Sequence, residues 1–385
     1  MYGRRTVTAH AALSIWLLLR YLDTIWGIVW HALRIARCMR VAVVGATGNV
    51  GTSVLRSLSL DPDVHHIRGI ARRLPSATFS KTEFVAADIA EQRLAPLFEG
   101  MDAVIHLGWR IQSAHDEPAL ERANVLGSQR VFEAVAAAGV GTLLYASSIG
   151  AYSSGPKDRL VDESWPTGGI PSSLYSRQKA KVERLLDAFE SKQPHVRVVR
   201  MRPALIFKRE AGTEIRRLFA GPWWPRALFS PSFLRVMPYN ARLRFQSVHS
   251  LDVGHAFWLA LKQDVRGAFN LAAEPVLSSP VLAAALDARQ VSMSHAFLRG
   301  LAAVTWRMRL QHTDPGWVDL CLESPLVDST RARNVLGWKP TRTSLEALRE
   351  LLEGISDGAG LSTPPLAPPY RGRASTRVST LPAKI

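Results

Sequence analysis

Residues 40–51 read RVAVVGATGNVG. A short apolar run without alternation leads into Gly45, Gly48 and Gly51, and then into the helical spacing of NVGTSVLRSL at 49–58. An unalternating apolar run is what a strand needs when helices cover both faces of its sheet. The glycines make the strand-to-helix turn. Gly45 allows the tight turn, Gly48 lets backbone approach a pyrophosphate, and Gly51 lets helix and strand pack closely. The free N–H groups and positive dipole of the helix N-terminus then face the phosphates. With Thr47, Asn49 and Val50 between the glycines, the loop predicts a dinucleotide site. The spacing is G-x-x-G-x-x-G rather than G-x-G-x-x-G, and its place between a strand and a helix is what gives it weight.

The same alternation continues downstream. HIRGIA (66–71), EFVAAD (83–88), DAVIHL (102–107), TLLYAS (142–147) and VRVVRM (196–201) are strand-like. PALERANVLGSQRVFEAVAAAG (118–139) is a long helix stopped by Gly139. Strands alternating with helices give an α/β fold, a Rossmann-type doubly wound parallel sheet. There are no internal repeats.

The second strand should select the dinucleotide. An acid at its end would bind the ribose hydroxyls. Here Ala71 stands in that place, followed by Arg72 and Arg73. A guanidinium fork suits a 2′-phosphate, so NADP(H) is the preferred cofactor and NAD(H) the alternative.

SSLYSRQKAKVERLL at 172–186 places Tyr175 and Lys179 at i and i+4 of a helix, one above the other. Leu174, Val182, Leu185, Leu186 and Phe189 supply its apolar stripe. An ammonium beside a phenol favours the phenolate, and a tyrosine with an unperturbed pKa of about 10 needs such help to serve near neutrality. In isolation the pair is equally an exposed helix face with a snorkelling lysine.

Taken together, these motifs resemble the extended short-chain dehydrogenase/reductases, the NAD-dependent epimerase/dehydratase family. The markers are GATGNVG, AADI (86–89), VIHLGW (104–109), NVLGSQRVFEA (124–134), YASSIGAY (145–152), YSRQK (175–179), MRPALIF (201–207), FQSVHSLDV (245–253) and DSTRARNVLGWKP (328–340). The resemblance covers about residues 39 to 355. It implies that Tyr175 is the acid/base and that Lys179 lowers its pKa and holds the nicotinamide ribose. Ser148, ahead of Ser147, would hydrogen-bond the substrate oxygen, and Asn124 would support the proton relay. Asp88 and Ile89 would border the adenine, and His106, Leu107 and Gly108 would line the cofactor. The implied activity is hydride transfer at a secondary alcohol or ketone. A nucleotide-sugar epimerase with tightly bound NAD and a non-catalytic dinucleotide sensor are the alternatives. Gly108 replaces the usual Ala, and Trp109 and Arg110 follow it beside the substrate pocket. Ile149 and Gly150 stand where sugar dehydratases carry an Asp-Glu pair, which argues against 4,6-dehydration.

The parts of the chain differ in character. Residues 39–203 form the dinucleotide-binding core, and 204–360 form mainly a small substrate-binding region with segments returning to the core. Lys208, Arg209, Arg216, Arg217, Arg242 and Arg244 could clamp a diphosphate. Phe219, Trp223, Trp224 and Phe229 could instead wall an apolar pocket. Residues 361–385, rich in Pro, Ser, Thr and Arg, read as a disordered tail. Residues 1–38 are rich in Leu, Ile and Trp, with Arg20 and Asp23 interrupting them. They read as an extension upstream of a start at Met39, as a membrane-associated helix within 10–37, or as a docking helix.

The net charge of +16 is spread, with +4 in residues 1–38 and +4 in 361–385. No nucleic-acid module accompanies it, so the expected partner is a small molecule rather than a nucleic acid. Cys38 and Cys321 are far apart and have no metal-ligand spacing, which suits a reducing, cytoplasmic setting without a bound metal. A homodimer stays open as the assembly.

Overall fold

A computed structural model describes residues 38–111, 115–221, 225 and 235–368. The N-terminal segment 10–37 and the aromatic residues Trp223, Trp224 and Phe229 lie outside the described residues. Among the described residues, no helix is long and apolar enough to cross a membrane.

The core elements are β1 (Met39–Val44), α1 (Asn49–Leu60), β2 (Val64–Ala71), β3 (Thr82–Ala86) and β4 (Ala103–His106). Next come α2 (Glu117–Glu121), a π-helical turn (Arg122–Leu126), α3 (Gly127–Ala137), β5 (Thr142–Ala146), α4 (Leu174–Lys192) and β6 (Arg197–Pro203). The C-terminal part adds α5 (Gly212–Phe219), α6 (Ser250–Lys262), β7 (Gly267–Leu271), α7 (Gly316–Glu323) and α8 (Ser344–Asp357). The seven strands form one sheet in the order β7-β6-β5-β4-β1-β2-β3, every pairing parallel. The chain starts in the middle at β1, winds outward through β3, then crosses to β4 and winds the other way. The loops at the C-terminal ends of β1 and β4 therefore part, and a ligand crevice opens there.

Side chains of β1 explain why both faces are covered. Val41 and Val43 pack with Val54, Leu55 and Leu58 of α1 and Phe257 of α6. Ala42 and Val44 pack on the other side with Phe132 and Val135 of α3 and Val182 and Leu186 of α4. The expected helix over 118–139 is interrupted: the π-helical turn widens it around Asn124, whose side chain is committed to a neighbouring loop. Gly139 does end it, in the left-handed region at φ +67°.

Two expectations for the C-terminal part need correction. The disordered tail does not begin at 361. Leu366 and Thr363 are buried, and the carbonyl of Ser362 accepts from the N–H groups of Ser76 and Ala77, so residues 361–368 lie folded on the core. Composition hid this because the segment needs only one large apolar anchor. Lys208, expected as part of a diphosphate clamp, is fully buried. Its ammonium donates to the carbonyl of Asn49 at 2.7 Å and to Thr52 Oγ1 at 2.6 Å, tying the segment after β6 to the start of α1.

Candidate functional site

The glycine loop after β1 leaves α1 with an open end. Gly45 sits at φ +82°, and a Cβ there would come within 2.8 Å of the Gly108 nitrogen in the loop after β4. Gly48 is the N-cap of α1, and no side chain caps the helix from it. The result is a cavity of about 430 Å³ at the crevice, lined by Gly45, Thr47 and Gly48, by Ala71, Arg72 and Arg73 after β2, by Asp88 and Ile89, and by Leu107 and Gly108. Arg72 and Arg73 are exposed at its rim. The Asp88 carboxylate accepts from the N–H of Ala90, 2.9 Å away, and so holds its own turn. Pro364 and Pro365, from the folded end segment, close the far side.

These residues fit a dinucleotide. The open helix end and the glycine cradle suit phosphates. Asn49 donates through Nδ2 to the Ile206 carbonyl at 3.1 Å, while its buried Oδ1 has no partner among the described residues and is ready for a donor.

A second cavity of about 530 Å³ adjoins the first; Gly45, Gly48, Leu107, Trp109 and Glu214 line both. Ser148, Tyr175 and Lys179 line the second cavity together, with Asn49, Val50 and Gly51 at its edge. Tyr175 lies in the first turn of α4. That turn is fixed by Ser176, whose hydroxyl donates to the Gly150 carbonyl at 2.6 Å and accepts from the Ile170 N–H at 2.7 Å. Gly150 must be small: a Cβ there would stand 2.8 Å from Tyr175 Cε1. Ser148 Oγ accepts from the Gly150 N–H at 3.0 Å. Burial pushes the Tyr175 phenol up to about 12, against the pull of the Ser148 hydroxyl beside it.

In this geometry the Lys179 ammonium is turned to partners other than the Tyr175 hydroxyl. Its ammonium donates to the Ala146 carbonyl at 2.8 Å and lies 3.6 Å from the centre of the Trp109 ring. It stands 6.0 Å from the centre of the Tyr175 ring. Burial brings Lys179 itself down to about 7, opposed by the charge of Glu183. Trp109 also packs edge-on to Tyr175, with ring centres 5.9 Å apart. The aromatic residue singled out after β4 thus covers both members of the pair.

Two expected residues sit elsewhere than the sequence suggests. His106 does not reach either cavity. It is fully buried, and its Nε2 pairs with Ser128 Oγ at 2.9 Å. Burial, with Lys179 nearby, takes its pKa down to about 3, so the ring is neutral. Asn124 holds a loop: its Oδ1 accepts from the Arg110 N–H at 2.7 Å, and its Nδ2 donates to the Arg110 carbonyl and to Gln178 Oε1. It positions the Trp109–Arg110 turn and stands outside both cavity walls.

Beneath the site lies a charged group that sequence reasoning missed. Glu183, one turn beyond Lys179 on α4, is fully buried. It accepts from Ser147 Oγ at 2.5 Å, from Arg202 at 2.9 and 3.1 Å, and from Arg200 at 3.1 Å. Burial pulls its carboxyl upward, but Arg202, Ser147 and Arg200 outweigh that and hold it below the ordinary value. The available signal was Arg200 and Arg202 set among the buried apolar residues of β6, since buried guanidinium groups require an acid.

Residues 41–272 match the NAD dependent epimerase/dehydratase family. A Mycobacterium tuberculosis protein described as uncharacterized is 27% identical over 336 residues, covering 86% of this chain but 32% of that protein. The chain thus spans about a third of that relative's length. A UDP-glucose 4-epimerase of Mycolicibacterium smegmatis is 31% identical over 166 residues, 40% of this chain and 52% of that enzyme. The structure of a UDP-glucuronic acid 4-epimerase of Bacillus cereus in complex with NAD has a TM-score of 0.62 at 17% identity, covering 83% of this chain and 99% of that one. That likeness is one of fold.

Proposed function

The chain belongs to the NAD-dependent epimerase/dehydratase family, and from that premise we propose that it is an NAD(P)-dependent oxidoreductase acting at a secondary alcohol or ketone. The observation that carries the reading is the meeting of Ser148, Tyr175 and Lys179 in the wall of one cavity, directly beside the glycine-loop cavity. A bound dinucleotide supplies the hydride donor or acceptor. Gly45, Thr47, Gly48, Asn49, Val50 and Gly51 would hold its phosphates, and Asp88 and Ile89 its adenine end.

The chain's own residues handle the proton. Ser148 orients the substrate oxygen toward the Tyr175 hydroxyl. Tyr175 gives a proton to a carbonyl oxygen, or takes one from an alcohol. Lys179, freed from the Ala146 carbonyl, would bind the ribose hydroxyls and bring its charge to the phenol. Glu183 keeps the floor rigid through Ser147. A pure dinucleotide sensor has no use for this acid/base set.

Cofactor choice rests on Arg72 and Arg73. Both line the first cavity after β2, and both are exposed at its rim. They support NADP(H) as the preferred dinucleotide. Titration of the purified protein with NADPH and NADH tests this. NADPH should bind at least about tenfold more tightly, and Arg72→Ala should remove most of the difference. Equal affinities, or NAD retained through purification, would overturn the preference and favour a cycle with an internally kept hydride. The M. smegmatis relative makes UDP-sugar epimerisation the second reading of the same site.

A further inference from the structure

We infer that the second cavity takes an apolar secondary alcohol or ketone and excludes a nucleotide-diphosphate sugar. This deepens the proposed reading of the Tyr175 site and rests on it. The wall around Tyr175 is apolar, made by Leu205, Phe207, Ile215, Phe219, Trp317 and Leu320. Trp317 stacks at a tilt on Tyr175, with ring centres 4.9 Å apart, and Phe219 meets Trp317 edge-on at 4.9 Å. Apolar surface therefore begins at the reacting group. A cavity of about 530 Å³ is the size that holds a compact ring system.

A diphosphate buried here would need cations, and most of the candidates hold other partners, while Arg244 is not in the described wall. Lys208 is bonded into the start of α1. Arg209 pairs with Asp357 at 2.6 Å, Arg217 donates to the Pro365 carbonyl, and Arg242 donates to the Leu322 carbonyl at 3.2 Å. No arginine stands among the described residues of this cavity's wall. Apart from Lys179, the one cation among the described residues of the wall is Lys157, and it already donates to the carbonyls of Arg244 and Cys321, each at 2.8 Å. That leaves one N–H, enough for a single acceptor on the substrate. Two phosphate charges in such a setting would be desolvated without compensation.

The chemistry balances with the dinucleotide of the proposed function. The carbinol carbon gives up its hydrogen with the bonding pair to the oxidised nicotinamide, the hydroxyl proton passes to the Tyr175 phenolate, and a ketone, the phenol and reduced dinucleotide result.

The test uses the full chain saturated with the dinucleotide it binds more tightly, titrated with 2-acetylnaphthalene, UDP and UDP-glucose by calorimetry and tryptophan quenching. The naphthyl ketone should bind at least tenfold more tightly than either uridine compound. Leu205→Asp and Leu320→Asp should each weaken ketone binding at least tenfold while dinucleotide affinity stays within twofold. Leu205 is 40% exposed, so its variant carries the test if the buried Leu320 variant does not fold. Tighter binding of UDP or UDP-glucose, or ketone binding indifferent to Leu205→Asp, overturns the inference. The catalytic reading fails separately: it falls if Tyr175→Phe oxidises 1-(2-naphthyl)ethanol as fast as the unaltered protein, and the substrate class then still stands on binding.

Discussion

Tyr175 shows how a residue's environment sets its task. Burial holds the phenol protonated, at about 12, across the neutral range. Ketone reduction needs a proton donor, and the phenol is already in that form at pH 7. Alcohol oxidation needs the phenolate, whose fraction grows tenfold per pH unit below the pKa. The expected profile is therefore oxidation rising from pH 7 to 10 and reduction level over the same range, read from initial rates in both directions. A level oxidation profile would remove Tyr175 as the base. Gly150 gives a second expectation. A methyl group there meets the Tyr175 ring at 2.8 Å, so Gly150→Ala should displace the ring and lower kcat on the order of 100-fold. Dinucleotide affinity should hold, because Gly150 is not in the wall of the glycine-loop cavity.

At the scale of elements, α4 and β6 are bound to each other by charge as well as by apolar packing. Glu183 on the helix faces Arg200 and Arg202 on the strand, all three buried. Removing one partner of a buried set leaves uncompensated charge. Glu183→Ala should cost about 3–5 kcal/mol in urea unfolding. A loss under about 1 kcal/mol would mean that the arginines find other acceptors. Legibility in the sequence follows the same division. The glycine loop, the Tyr175 helix and the strands β1 to β6 were readable because periodicity and turn chemistry are local. Glu183 was not, because its partners lie 17 and 19 residues away and meet it only after α4 docks on the sheet. His106 misled for a related reason: its sequence position is beside the cavity, but strand alternation turns its side chain inward, and only Leu107 and Gly108 reach the wall.

For the molecule as a whole, function depends on the C-terminal part returning to the core. Residues 361–368 run across the glycine-loop cavity, held by Leu366 and by the Arg217 bond to the Pro365 carbonyl. Proline-rich composition concealed this, since a single buried leucine leaves no periodic pattern. Leu366→Ala should destabilise the protein by about 2–4 kcal/mol in urea unfolding and weaken dinucleotide binding through Pro364 and Pro365. Unchanged dinucleotide affinity would show that the segment only packs against the core. The basic cluster was legible as charge but not as structure: Lys208 is bonded into the start of α1 and Arg217 holds the Pro365 carbonyl, contacts that a charge count does not show.

The most direct test of the account is isotope transfer. Secondary alcohols carrying deuterium on the carbinol carbon, 1-(2-naphthyl)ethanol among them, are incubated with the protein and oxidised dinucleotide, and the reduced dinucleotide is weighed by mass spectrometry. The account predicts reduced dinucleotide one mass unit heavier with the unaltered protein, and a loss of about 100-fold or more in its rate of formation with Tyr175→Phe. Reduced dinucleotide without deuterium, or equal rates for the two proteins, would contradict it.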